Sequence, residues 1–269
     1  YMLLFWPCAW GLTLAYDFSD NLNDYFFYLT LFFLGSVLMR SAGCIVNDIL
    51  DRKFDKNVLR TKNRPIASGK VSVALAIFYS GVLCLLAFLV LINFNYFTIL
   101  IALASMPLAF SYPLMKRYTY WPQLFLGITF NYGLILGWTS IINQINLIPL
   151  IFYFGAIFWT LGYDTIYGFQ DIKDDEIIGL KSTSIKFKSN PNTFLLICFS
   201  IFLLSLLSIG ILMELNKYYL MIYSMILLQI FFFQLKKLDI ESSSNCLKIF
   251  KSNNYLGLLV FISLVIGKL

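Results

Sequence analysis

Histidine is absent from the 269 residues, and charged residues make up only 13% of them. Without histidine, the chain lacks the usual general base and the usual ligand of haem and zinc. The five cysteines are scattered and form no CxxC pair, so the sequence indicates neither a zinc site nor a disulfide framework. Any chemistry must therefore come from acidic side chains, cations, tyrosines or a bound metal ion.

Glycine-rich phosphate loops are also missing, because neither a Walker sequence nor GxGxxG occurs. A phosphate group would have to be held by a metal ion and by arginine and lysine side chains instead. The low charge content has a second consequence, since soluble domains contain about 25% charged residues. The sequence therefore indicates a membrane protein.

Apolar segments account for most of the chain, which is 59% hydrophobic with a mean hydropathy of +0.78. A membrane-spanning helix needs about 20 mostly apolar residues. By this measure the sequence contains nine candidate spans, and no soluble domain fits between them. It therefore predicts an all-α, polytopic membrane protein in which residues 1–269 form a single domain. The chain begins at Tyr1 within an apolar run, so we expect that the sequence lacks its natural start. The predicted spans are 1–16, 25–47, 71–92, 96–113, 121–142, 147–168, 193–213, 218–235 and 254–268.

Lysine and arginine are concentrated in alternate loops. Seven of the 20 lie within residues 51–70, and most of the others follow the fourth, sixth and eighth predicted spans. Because positively charged loops stay on the cytoplasmic side of a membrane, this alternation predicts that the even-numbered loops face the cytoplasm. A miscounted span would break the alternation, which supports the count of nine.

A row of acids follows the second predicted span. Read as a helix, Asn47, Asp51 and Asp55 are spaced i, i+4 and i+8 and share one face, which Asp48 borders. Carboxylates this close repel one another and resist burial unless a cation neutralises them. Carboxylate and amide oxygens are ligands that Mg²⁺ prefers. The row therefore favours a Mg²⁺ site over a polar helix cap, which needs only one or two acids.

A second acidic group follows the sixth predicted span, at the same membrane face. Asp164, Tyr167, Asp171 and Asp175 are spaced i, i+3, i+7 and i+11, which predicts a single stripe along one helix. Two carboxylate groups on two helices could share Mg²⁺ ions that bridge a diphosphate, while cations stabilise the charge on the leaving group. The rest of such a substrate would be a long apolar tail beside aromatic side chains that shield an allylic cation. The candidate aromatic residues are Phe125, Phe130, Tyr132, Trp138, Phe152, Phe154 and Trp159.

These two motifs resemble the signatures of the UbiA superfamily of intramembrane prenyltransferases. The NDxxDxxxD signature is met by Asn47-Asp48-x-x-Asp51-x-x-x-Asp55, and the DxxxD signature by Asp171-x-x-x-Asp175. The resemblance is closest to the branch that prenylates 4-hydroxybenzoate, through segments spread over the whole chain. These segments are 5–7, 38–44, 51–55, 60–69, 112–119, 163–167 and 174–183.

The resemblance implies nine transmembrane helices around a central cavity, with a lateral opening to lipid. It also implies two Mg²⁺ ions that bind polyprenyl diphosphate between the aspartate motifs. The prenyl group would pass to the ring carbon ortho to the hydroxyl of 4-hydroxybenzoate, an early step of ubiquinone biosynthesis. The implied metal ligands are Asn47, Asp51, Asp55, Asp171 and Asp175.

Other residues are predicted by role. The cations expected at the diphosphate are Arg52, Lys116, Arg117 and Lys181, and those expected at the aromatic acid are Arg40 and Arg64. Arg40 lies inside a span, where it can instead pair with the acids. The acids assigned to catalysis are Asp48, Asp51, Asp164 and Asp171. The ring proton would pass to Asp48, Asp164 or Asp171, or to the departing diphosphate.

Two alternatives stay open for the function. Within the family, the acceptor could be homogentisate, a naphthoate or haem instead of 4-hydroxybenzoate. From another class, intramembrane acids also mark the ion paths of transporters, although a relay would be staggered through the spans rather than gathered at one face. We expect a location in the bacterial inner membrane, with the mitochondrial inner membrane as the alternative, contact with membrane lipid, and no nucleic-acid partner.

Overall fold

The computed structural model describes residues 1–56 and 61–269, apart from the side chains of Lys173 and Asp174. Arg60, which begins one of the segments that carry the resemblance, lies outside the described residues. Within the described part the chain is helical and forms no strand, which confirms the predicted fold class. The helices are α1 (Met2–Ala15), α2 (Leu22–Asp55), α3 (Val73–Leu91), α4 (Tyr96–Tyr118), α5 (Pro122–Ile142), α6 (Leu147–Gly168), α7 (Ile172–Ile178), α8 (Thr183–Lys186), α9 (Pro191–Leu212), α10 (Lys217–Lys236) and α11 (Ser243–Lys268).

Eight of these helices are long and apolar enough to cross a membrane, and α1 is a shorter apolar helix. Over the described ranges they correspond one to one to the nine predicted spans. The boundaries differ most at α2, which continues to Asp55 rather than residue 47, and at α11, which begins at Ser243 rather than residue 254. Both extensions are polar, and hydropathy detects only the apolar part of a helix that continues into the aqueous layer.

Helix α1 is packed into the bundle and contacts α2, α5 and α11. Glycine permits the close crossing of α1 and α5. A Cβ atom on Gly11 would lie 2.0 Å from the carbonyl oxygen of Leu134, and one on Gly137 would lie 2.2 Å from that of Cys8. Small residues at such crossings let membrane helices approach backbone to backbone, where dispersion contacts stabilise the pair. A side chain at either glycine would therefore force α1 and α5 apart.

Aromatic side chains fill the centre of the bundle. Trp10 is fully buried, and its ring centroid lies 5.3 Å from that of Phe152 and 5.1 Å from that of Trp159. The indole N–H of Trp10 donates to the carbonyl oxygen of Gly257 at 3.0 Å, and that of Trp159 donates to Asn253 Oδ1 at 2.9 Å. These bonds join α1 and α6 to α11, and they satisfy polar groups that lipid could not.

Helix α4 is interrupted rather than regular. Its first α-helical part ends at Ala104, and Tyr112–Leu114 form a 3-10 turn before the last turn, Met115–Tyr118. Pro107 and Pro113 lack the backbone N–H that a regular helix would use in these two regions. The irregular end of α4 carries Tyr112 and Lys116, which line the chamber described in the next subsection.

The second acidic group does not lie on one continuous helix, so the predicted single stripe is wrong. Helix α6 ends at Gly168, Asp171 has a non-helical backbone (φ −112°, ψ 7°), and α7 begins at Ile172. The hydroxyl of Ser184, on α8, donates to the carbonyl oxygen of Thr165 at 2.8 Å. If α6 continued, this carbonyl oxygen would accept a hydrogen bond from the backbone N–H of Phe169. The N–H of Phe169 instead donates to the carbonyl oxygen of Tyr167.

Candidate active site

A chamber of about 530 Å³ lies at the end of the bundle that carries the loops rich in lysine and arginine. We call this end of the bundle the basic end. The two acidic groups both line it, although they come from helices far apart in sequence. All predicted site residues except Arg52 and Arg117 are among its walls. Those that line the chamber are Arg40, Asn47, Asp48, Asp51, Asp55, Arg64, Lys116, Asp164, Asp171, Asp175 and Lys181.

Arg64 connects two acids of the first row across the end of α2. Its Nη1 donates to Asp48 Oδ1 at 2.9 Å and to Asp55 Oδ2 at 3.1 Å. Asp48 and Asp55 are two helical turns apart, so their carboxylates lie on the same side of α2. Asp55 is only 7% exposed, and the guanidinium offsets part of the cost of burying its charge. Arg64, predicted at the aromatic acid, is thus engaged by the acidic row.

Asp51 is the most deeply buried acid of this row, at 2% exposed. Lys116 forms an ion pair with its Oδ2, and Nη2 of Arg117 lies 3.7 Å from its Oδ1. Oδ1 itself is buried and accepts no hydrogen bond from the residues that the structure describes. The three acids of α2 thus face three cations, Arg64, Lys116 and Arg117, and protein groups balance the charge at this wall.

Asp171 and Asp175 enter the chamber from another wall, just before α7 and on α7 itself. The backbone N–H of Asp175 donates to the carbonyl oxygen of Asp171 at 2.9 Å, so the first turn of α7 fixes their relative position. The N–H of Lys181 donates to the carbonyl oxygen of Lys116 at 2.9 Å. This bond ties the segment after α7 to the end of α4, and it brings two lysines to one part of the chamber.

The oxygen donors of the chamber match Mg²⁺ in type. Asn47, Asp51, Asp55, Asp171 and Asp175 offer one amide and four carboxylates. The buried Oδ1 of Asp51 is an acceptor that a cation would satisfy. No group of three acidic, histidine or cysteine side chains within the described ranges is close enough to hold an ion alone. This fits Mg²⁺, which proteins usually bind through one or two carboxylates together with water and substrate phosphates.

A second cavity, of about 360 Å³, adjoins the chamber. Its walls come from α1 to α5 and are almost wholly apolar. Four described residues line both spaces and form the junction between them: Leu4, Arg40, Tyr112 and Phe130. We call this second space the apolar cavity.

Arg40 is the cation of this junction. Its guanidinium carbon lies 5.1 Å from the ring centroid of Phe130, within the range of a cation–π contact. The described acids include none within 4.0 Å of its guanidinium nitrogens. Direct ion pairing of Arg40 with the acids, the predicted alternative, is therefore not formed in this arrangement.

The aromatic residues predicted around an apolar tail are divided among three environments. Phe130 and Tyr132 line the apolar cavity. Trp138, Phe152 and Trp159 are at most 4% exposed and belong to the packed core. Of the other two, Phe154 is 57% exposed on the outer surface, and Phe125 lines neither space. Composition alone could not separate these roles, because aromatic residues serve all three environments in a membrane protein.

Tyr112, Tyr163 and Gln123 also line the chamber, although no motif spacing predicted them. The hydroxyl of Tyr163 is buried and has no hydrogen-bond partner in the described part of the chain. Gln123 Oε1 accepts from the N–H of Thr183 at 3.0 Å and holds the start of α8. The available signal was indirect, since Tyr112 and Tyr163 fall within segments that carry the resemblance.

The fold and the site together define an integral membrane protein in which a chamber lined by acids and cations adjoins an apolar cavity. The model of the UbiA prenyltransferase family matches residues 4–265. The chain therefore belongs to the UbiA prenyltransferase family, whose members are transferases.

Relatives at the sequence level are similar over nearly the whole chain. The chain is 43% identical to the mitochondrial 4-hydroxybenzoate polyprenyltransferase of Bos taurus, over 99% of this chain and 71% of the relative. It is 39% identical to the 4-hydroxybenzoate octaprenyltransferase of Francisella tularensis subsp. novicida, over 98% of this chain and 92% of the relative.

Solved structures share the fold. The apo structure of a UbiA homolog from Aeropyrum pernix superposes with a TM-score of 0.82 at 21% identity, covering 100% of this chain and 98% of that chain. A UbiA homolog from Archaeoglobus fulgidus bound to DMAPP and Mg²⁺ gives a TM-score of 0.72 at 17% identity, with 98% and 95% coverage. The fold of the described part of the chain is thus the fold of these UbiA homologs.

Proposed function

We propose that this protein transfers a polyprenyl group from polyprenyl diphosphate to 4-hydroxybenzoate, at the ring carbon ortho to the hydroxyl, and that the reaction requires Mg²⁺. One observation carries the proposal: two acidic groups line a single chamber that adjoins an apolar cavity. The names of the two relatives support the choice of acceptor. On the same basis we assign the reaction to ubiquinone biosynthesis.

The diphosphate head of the donor is assigned to the chamber. Its proposed metal ligands are Asn47, Asp51, Asp55, Asp171 and Asp175, and the Archaeoglobus homolog described as bound to DMAPP and Mg²⁺ supports this metal. When bound, Mg²⁺ neutralises the diphosphate and stabilises it as a leaving group. Lys116 and Lys181 line the same chamber and can donate to phosphate oxygens.

The two remaining predicted diphosphate ligands receive other roles. Arg117 lies beside Asp51 but lines a different cleft, so we assign it to positioning that carboxylate. Arg52 lines that cleft together with Arg117 and not the chamber, so we do not propose it as a diphosphate ligand. Arg64 is held by Asp48 and Asp55, and we assign it to neutralising the acidic row rather than to the aromatic acid.

The isoprenoid tail is assigned to the apolar cavity and the acceptor to the junction. Arg40 stands at that junction and can form charge-assisted hydrogen bonds with the carboxylate of 4-hydroxybenzoate. The ring of Phe130 lines both spaces, where its π-face can stabilise an allylic cation next to the diphosphate. Head, tail and acceptor would then meet where the two spaces join.

The proposed reaction begins when the bond between the first prenyl carbon and the diphosphate oxygen breaks. The acceptor ring attacks the resulting allylic cation, and loss of the ring proton restores aromaticity. We assign the base to Asp164, because it forms no ion pair within 4.0 Å with the described cations, whereas Asp48 is bound by Arg64 and Asp171 is a proposed metal ligand. The departing diphosphate is the alternative acceptor of this proton. A carboxylate held by a cation is the weaker base.

A transporter function is not favoured, because the acids gather at one end of the bundle instead of following the spans. We propose that residues 1–269 act as one domain in a membrane, with the basic end on the cytoplasmic side. A bacterial inner membrane is the proposed location. The relatives include both bacterial and mitochondrial proteins, so the mitochondrial inner membrane is the alternative.

The proposal is tested with purified protein in lipid vesicles, a radiolabelled polyprenyl diphosphate and a panel of acceptors. We expect prenylated 4-hydroxybenzoate only when Mg²⁺ is present, and no comparable product with homogentisate or a naphthoate. Asp175→Ala should abolish transfer, whereas Asp20→Ala, which removes one exposed carboxylate far from the chamber, should not. Equal turnover of another acceptor, or normal turnover in Asp175→Ala, would contradict the proposal.

A further inference from the structure

The last turns of α2 carry a second set of charged residues on a face of their own. Ile49, Arg52, Lys53 and Lys56 are spaced i, i+3, i+4 and i+7, so they share a helical face that is distinct from the face of the acids. This face forms one wall of a cleft of about 520 Å³ outside the chamber. The described residues that line it are Ile49, Leu50, Arg52, Lys53, Lys56, Val73 and Arg117.

The composition of this cleft is unusual for a site on a protein surface. Among the lining residues that the structure describes, four are cations, three are aliphatic and none is an acid. The Nε atoms of Arg52 and Arg117 are buried, and neither donates a hydrogen bond to any residue of the described chain. A buried guanidinium N–H needs an acceptor, and the described lining offers no carboxylate to supply one. The carboxylate near Arg117 is that of Asp51, which lies outside the lining, 3.7 Å from Nη2, and has Lys116 as its closer partner. The cleft is therefore matched in charge and in donors to an anion.

The surroundings of the cleft indicate what kind of anion fits. Val73 begins α3, whose first turns leave Leu75, Ile77 and Phe78 between 41% and 63% exposed. Such a surface faces lipid in a membrane protein. A phosphate in the cleft would thus lie at the level of lipid headgroups, with acyl chains against α3. The alternative is that these basic residues only determine how the chain is oriented in the membrane. That role requires neither a shared cleft nor buried N–H donors.

We propose that this cleft binds the phosphate of an anionic phospholipid, at a site separate from the reaction chamber. Arg52 and Arg117 supply paired N–H donors that match phosphate oxygens, and Lys56 adds a compact charge. Arg117 also donates to the carbonyl oxygen of Leu50 at 2.7 Å, so its guanidinium is already oriented at the cleft.

Lipid retention by the purified full-length chain tests this proposal. The protein is reconstituted in vesicles of phosphatidylcholine with phosphatidylglycerol and re-extracted in detergent, and the retained phosphatidylglycerol is counted per chain by mass spectrometry. The test variant is Arg52→Gln/Lys56→Gln. The control is Lys248→Gln/Lys251→Gln, which removes the same charge from two exposed lysines near the start of α11.

We expect the wild-type chain and the control to retain phosphatidylglycerol over phosphatidylcholine, and the test variant to bind it roughly thirtyfold more weakly. Lys56→Gln alone should show part of this loss if the double variant is unstable. Equal retention in the test variant, or equal loss in the control, would overturn the proposal. Displacement of the lipid by inorganic diphosphate at equal concentration would also overturn it, since the cleft would then be a site for free anions. Because retention needs no turnover, the result does not depend on the proposed reaction.

Discussion

The chamber and the apolar cavity share four described lining residues, yet they are stabilised in different ways. Directional ion pairs from Arg64 and Lys116 fix the carboxylates of the chamber. The apolar cavity is shaped by side-chain volume, with openings where residues such as Gly35 and Gly43 have no bulk. A substitution in the chamber changes charge and bonding, whereas one in the cavity changes only space. Chemistry and chain-length selection should therefore respond to different residues.

The strongest test of this difference is the loss of the buried carboxylate of Asp51. Asp51→Asn keeps the shape of the side chain but removes a charge that faces Lys116 and the proposed metal. We expect kcat for prenyl transfer to fall about 1,000-fold, since stabilisation of the leaving group is worth several kcal/mol. Single-turnover assays with labelled donor measure this. Activity within tenfold of wild type would show that the chamber does not bind the diphosphate through Asp51.

Arg40 tests the boundary between the two regions. Arg40→Gln removes the positive charge at the junction, and we expect KM for 4-hydroxybenzoate to rise about 30-fold, because a hydrogen bond to a charged group contributes roughly 2 kcal/mol. KM for the donor should change little, since we assign the diphosphate to the chamber beyond this junction. Arg40→Lys should recover part of the affinity. If KM for the donor rises instead, Arg40 contacts the diphosphate and the assignment of the acceptor is wrong.

The charge balance of the chamber predicts an effect on stability as well. Lys116→Gln removes the closer ion-pair partner of Asp51, whose side chain is only 3% exposed, and leaves it with Arg117 at 3.7 Å. We expect a loss of about 2 kcal/mol, below the range for fully buried pairs because Lys116 is 27% exposed. The charge-neutral double variant Asp51→Asn/Lys116→Gln should recover about half of it while staying inactive. Thermal unfolding in detergent measures both, and additive losses would contradict the coupling.

The contrast between the two regions also explains what the sequence could predict. Acids stand out in an apolar chain, so the spacing of Asp48, Asp51 and Asp55 was sufficient to predict the first acidic wall. Arg52 follows Asp51 by one residue, and one residue is about 100° around a helix, so helical geometry alone already places it on another face. The break after Gly168 could not be predicted, because the hydroxyl that ends α6 belongs to Ser184, on another helix.

The sequence contains no comparable pattern that predicts the apolar cavity. Residues that line it, such as Gly43 and Phe130, have the same character as residues that face lipid or fill the core. Hydropathy assigns all of them to spans, and no period separates a cavity wall from a lipid-facing one. Three of the predicted tail-lining aromatics proved to be core residues for this reason. Only the packing of α1 to α5 against one another defines the space.

The smallest expected effect concerns this space. A Cβ at Gly43 meets no atom within 4 Å, so Gly43→Leu should fold normally and fill part of the apolar cavity. We expect KM for a long polyprenyl diphosphate to rise about tenfold, equivalent to about 1.4 kcal/mol of overpacking, and kcat with geranyl diphosphate to stay near wild type. Gly81→Leu is the matched control, because Gly81 is an exposed helical glycine with the same free space, on α3 and outside both cavities. If the kinetic parameters change equally for long and short donors, the tail leaves the chamber by another route. The chamber and the apolar cavity would then not bind the head and the tail of the donor separately.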